Sequence, residues 1–71
     1  MIFRGHEIVE ASSELIDVVI EDRQPRGLFI YLDKGGDRGD RYVGVDNRGG
    51  DAWTEDFATM RECLAYLVDE E

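Results

Sequence analysis

His6 and Cys63 are the side chains in this sequence with the most obvious chemistry, and each is the only one of its kind. A thiolate nucleophile needs a base within hydrogen-bond reach, so the two could act only if folding joined them. Cys63, however, falls on the apolar series Met60, Cys63, Leu64, Leu67 and Val68, where a cysteine is ordinarily a buried, inert thiol. One histidine and one cysteine also cannot assemble a zinc set. Asp33, Asp37 and Asp40 lie close together but lack the spacing and the distal bidentate glutamate of a calcium loop. No carboxylate pair stands apart as general acid and base, and no glycine-rich loop ends in the Lys-Ser/Thr of a phosphate cradle. Arg38-Gly39-Asp40 spells the tripeptide read by integrins, but among Gly35, Gly36 and Asp37 it reads as turn-forming sequence. The expectation is a chain with no catalytic residues, no metal and no cofactor.

Charge carries more information. Seventeen acidic residues against eight basic ones give −9 over 71 residues. The excess is uneven, because Asp51 to Glu71 holds seven acids and one base, Arg61. Such a surface is repelled by phosphate backbones and anionic lipid, which argues against direct nucleic-acid or membrane binding. Solubility is the ordinary use of this charge, and competition with nucleic acid for a basic protein groove is the sharper one. A lone cysteine suggests a reducing compartment. With no signal-like segment and no long apolar run, the expected location is cytoplasmic.

The length sets a single domain over residues 1–71, burying roughly 60% of the surface its unfolded chain exposes. Ile2 to Val9 predicts a strand with a bulge or bend at Gly5. Ser12 and Ser13 offer N-caps, and Glu14, Asp17 and Glu21 share one helical face, so Ser12 to Asp22 predicts a helix. The β-branched Ile16, Val18, Val19 and Ile20 leave a strand as the competing assignment. Gly27 to Leu32 reads as a strand, Asp33 to Asp40 as a hairpin loop, Tyr42 to Val45 as the return strand, and Ala52 to Phe57 as a third. Thr59 and Glu62 form a capping box ahead of a closing amphipathic helix.

These parts predict an α+β fold, an antiparallel sheet of three to four strands with two helices packed on one face. Leu28, Ile30, Leu32, Val43, Val45 and Phe57 would meet the helices. Phe29, Tyr31 and Tyr42 would then lie together on an uncovered face. An exposed aromatic face favours association with a protein partner or with a second copy as a homodimer. Trp53, near a strand end, is either core or an interface anchor. Glu62 and Asp69 flank Tyr66 on the rim of the last helix and complete the set of candidate interaction residues.

The run Asp46-Asn47-Arg48-Gly49-Gly50-Asp51-Ala52-Trp53-Thr54-Glu55-Asp56-Phe57, followed by Glu62-Cys63-Leu64-Ala65-Tyr66-Leu67, resembles the C-terminal half of short, uncharacterised acidic proteins of Gram-positive gut bacteria and their phages or mobile elements. The resemblance implies an accessory or anti-defence role and assigns no functional residue. Two functions follow from the residues and this resemblance together. One is a non-enzymatic interaction module working through an aromatic sheet face. The other is an acidic nucleic-acid mimic that occupies a basic protein groove.

Overall fold

Arg4 and Gly5 both adopt positive φ, 51° and 82°, and two successive left-handed residues turn a strand back on itself. The computed structural model, which describes residues 1–37 and 39–68, therefore has a hairpin where a single bulged strand was expected. Its arms are β1 (Ile2–Phe3) and β2 (His6–Glu10), paired antiparallel. Helix α1 (Ser13–Asp22) follows, as the caps predicted. The Leu15 N–H donates to Ser12 Oγ at 3.2 Å. Arg23, left-handed at φ 59°, closes the helix by donating its N–H to the Val19 carbonyl at 2.9 Å.

Strands β3 (Leu28–Gly36), β4 (Gly39–Asp46) and β5 (Trp53–Phe57) form an antiparallel meander, and α2 (Met60–Leu67) ends the described chain. Pairing of β3 with β4 reaches Gly36↔Gly39 after an irregularity beyond Asp33. Much of the segment expected as a loop is thus strand. Because α1 carries the chain across to the start of β3, β2 and β3 run parallel. The sheet is five-stranded and mixed, in the order β1-β2-β3-β4-β5, rather than antiparallel with three to four strands.

The larger correction concerns the helices. Leu28 and Ile30 pack with Ile8 against Cys63, Leu64 and Leu67 of α2. Phe29 and Val45 pack against Ile16 and Val19 of α1. Successive strand residues point to opposite sides, so the two helices cover opposite faces of the sheet. Cross-strand partners Phe29↔Val45 and Tyr31↔Val43 share the α1 side, and Leu32↔Tyr42 share the α2 side. The sequence carries the reason. Leu28-Phe29-Ile30-Tyr31-Leu32 is apolar without alternation, the pattern of a strand buried on both faces.

Helix α2 lies close on β4 because residue 44 has no side chain. A Cβ there would sit 2.9 Å from Cys63 Sγ and 3.2 Å from Leu67 Cγ and Cδ2. The helix begins at Thr59, whose Oγ1 accepts the Glu62 N–H at 3.2 Å and donates to Glu62 Oε1 at 2.9 Å. Replacing Thr59 by alanine should destabilise the fold by ~1 kcal/mol through loss of this cap. Gly44→Ala should cost about 1–2 kcal/mol, because overpacking outweighs the reduced entropy of the unfolded chain. Urea melts check both values. In a Cys63→Ala background the Gly44→Ala penalty should shrink, and an unchanged penalty would show that the two groups do not meet.

Candidate functional site

The alternation of β5 sends Trp53, Glu55 and Phe57 to the α2 side of the sheet, opposite Asp46, Gly44 and Tyr42 of β4. Phe57 lies nearest α2 and is half-buried, its ring 5.3 Å from that of Tyr66 at an interplanar angle of 44°. Trp53 lies at the opposite end of the strand and is 66% exposed, the most exposed aromatic side chain among the described residues. Asp46, Arg48, Trp53, Glu55 and Tyr66 together line an open groove of about 410 Å³.

The groove stands on a braced turn. Arg48 forks onto Asp46, with Nε 3.1 Å from Oδ1 and Nη2 2.9 Å from Oδ2, and its backbone N–H also donates to Oδ1. Asn47 is fully buried. Its Nδ2 donates to the Pro25 carbonyl at 2.9 Å, its N–H donates to the Gly27 carbonyl at 2.8 Å, and its own carbonyl accepts from Gly27 and Gly50. An Arg23 guanidinium N–H donates to the Asp51 carbonyl. The chain on either side of Pro25 thereby clamps the β4–β5 turn, and the turn sets the position of Trp53.

The electrostatics divide the acidic groups. The Arg48 guanidinium holds the Asp46 carboxyl below the usual carboxylate range. Asp56, on the α1 side of β5, accepts from Arg41 Nε at 3.2 Å. Glu55 is exposed and has no ion-pair partner among the described residues. Burial raises the Tyr66 phenol above its ordinary value, helped by the charges of Asp46 and Glu55. Burial also pushes the Cys63 thiol from 9.0 up to about 11, the opposite of what a nucleophilic thiolate requires.

The expected aromatic face does not form. Phe29 is 2% exposed beneath α1. Tyr31 is half-buried on that same side, while Tyr42 is half-buried on the other, beside Met60. Tyr42 also lines a second groove of about 350 Å³ with Glu10, Ala11, Ile30, Leu32 and Met60. Trp53 and Tyr66 do come together. Glu62 is exposed and spends its carboxylate on the helix cap, and Asp69 lies outside the described residues. The sequence pattern singles out neither Asp46, Arg48 nor Glu55 as a site residue, although alternation along β5 already places Glu55 on the face of Trp53 and Phe57. Among the described residues no group of three or more His, Cys, Asp or Glu is placed to hold a metal ion, and no helix is long and apolar enough to cross a membrane. Comparison of the chain with protein-family models, with curated proteins and with solved structures returned no match.

The raised thiol and phenol values set a direction for stability against pH. Both groups hold their protons more tightly when folded, so their contribution is complete below the unfolded values and is lost as pH rises through the folded ones. For Cys63 that window runs from 9.0 to about 11. Urea midpoints should fall across this range, and Cys63→Ala should flatten part of the fall. A midpoint that rises with pH in this window would contradict the burial of the thiol.

Proposed function

We propose that this chain is a non-enzymatic binding module that engages a basic protein partner through the groove around Trp53. The exposure of Trp53 is the observation that carries the reading. Tryptophan left in water at a strand end, beside a second aromatic and a carboxylate with no ion-pair partner among the described residues, has the composition of a binding anchor. It lends the fold little of the burial that would otherwise justify its size. The charge of −9 selects the sign of the partner and repels nucleic acid and anionic membrane.

The acidic mimic is the second reading, favoured by the carboxylates that α1 and α2 turn outward at Glu14, Asp17, Glu21 and Glu62. Its binding energy would come from many dispersed charges rather than from one aromatic anchor. The resemblance of the C-terminal half to acidic proteins of mobile elements suits either reading.

The two differ in what a single substitution does. Binding to immobilised polylysine, with polyglutamate as the control, should weaken about tenfold on Trp53→Ala, the loss of one anchor residue. Ionic strength should weaken it only in part. A dissociation constant unmoved by Trp53→Ala but steeply dependent on salt would transfer the assignment to the mimic.

A further inference from the structure

Strand β5 ends the sheet. Among the described residues it pairs with β4 alone, over five consecutive residue pairs in unbroken register from Tyr42↔Phe57 to Asp46↔Trp53. A terminal strand presents a row of unpaired backbone N–H and C=O groups, which proteins usually blunt with charged side chains (lysine above all), proline, a bulge or a very short edge. The opposite edge follows that rule, since β1 has only two residues. The sequence Trp-Thr-Glu-Asp-Phe of β5 contains neither lysine nor proline, its pairing contains no bulge, and its two charges, Glu55 and Asp56, are both acidic and so discourage every strand but a basic one. From this contrast, and resting on the binding-module reading above, we infer that the β5 edge receives an extended segment of a partner protein as a sixth strand, with lysine or arginine facing Glu55.

The choice of occupant follows from charge. A second copy could pair β5 with β5 antiparallel, but the register that uses all five residues centres on Glu55 and sets it against its own counterpart. Directly opposed like charges destabilise a strand pair, and each copy brings −9 to the encounter. A segment with lysine or arginine opposite Glu55 reverses the sign of that term. The aliphatic stem and cationic head of such a residue also suit the neighbouring Trp53 ring. Main-chain pairing would supply affinity and alternate side chains the specificity, as in other strand additions.

Trp53 is the only tryptophan of the chain and reports directly on its own burial. The probe is a synthetic peptide alternating lysine and valine, titrated into the intact protein while Trp53 emission is followed. A blue shift with saturable binding is expected, and a glutamate-valine peptide should bind at least about tenfold more weakly. Glu55→Lys, on an exposed side chain, should invert that preference. Methylating alternate backbone nitrogens of the lysine peptide should abolish binding in one phase and be tolerated in the other. Equal binding of both methylated phases with the blue shift retained would overturn strand addition while leaving the Trp53 module standing. Binding that Trp53→Ala leaves untouched, read by titration calorimetry because that variant has no tryptophan, would overturn the module reading itself. An unmoved emission spectrum at millimolar peptide, or a dimer of the free protein in sedimentation, would overturn the inferred occupant.

Discussion

The whole arrangement depends on how closely α2 approaches β4 at Gly44. With no Cβ at that position, the Cys63 sulfur and the Leu67 side chain settle onto the sheet where any other residue would hold them off. That contact seats a helix of eight residues whose intrinsic stability in isolation would be marginal. It also joins Ile8, Leu28, Ile30, Cys63, Leu64 and Leu67 into one of the two cores. A domain of this size has little stability to spare, so a misfit of a few tenths of an ångström in this layer is felt throughout.

Once α2 holds one face, the other is left to α1, and the consequences reach the proposed binding surface. Phe29 and Tyr31 are drawn under α1, while Tyr42 joins Met60 and Tyr66 in partial burial on the α2 side. With a helix against each face, the longer exposed margin of the sheet is the β5 edge. The turn clamped by Asn47 and by Arg23 holds Trp53 at the start of that edge. The acidic groups there differ in kind. Asp46 and Asp56 are engaged by Arg48 and Arg41, whereas Glu55 is exposed with no ion-pair partner among the described residues. Charge and aromatic surface therefore meet at one place, which is why the proposed binding is assigned to the edge and not to a face.

Local signals were the legible part of this fold. Ser12 and Thr59 marked the helix starts, and the spacing of Met60, Cys63, Leu64 and Leu67 marked the buried stripe of α2. The turn at Arg4 was not legible, since nothing in an arginine announces a φ of 51°. Which way β4 faces was not legible from Val43 and Val45, because in a doubly covered sheet apolar residues are at home on either side. The continuous run Leu28 to Leu32 held that information, and reading it as a strand with one wet face sent Phe29, Tyr31 and Tyr42 to a surface that does not exist. From residue type Trp53 was readable as core or anchor without a choice between them, and Tyr66 as part of the rim of the last helix. Their meeting was not, because it depends on the β4–β5 register and on the approach of α2.

The placement of the two helices on opposite faces, which leaves the β5 edge open to the proposed partner, can be checked by a nuclear Overhauser experiment on methyl-labelled protein. Cross-peaks are expected from the Val19 methyls to the Phe29 ring and from the Leu67 methyls to the Gly44 α-protons. Cross-peaks from the α1 methyls to Leu28 and Ile30 instead would put both helices on one side, expose Phe29 with Tyr31, and contradict it.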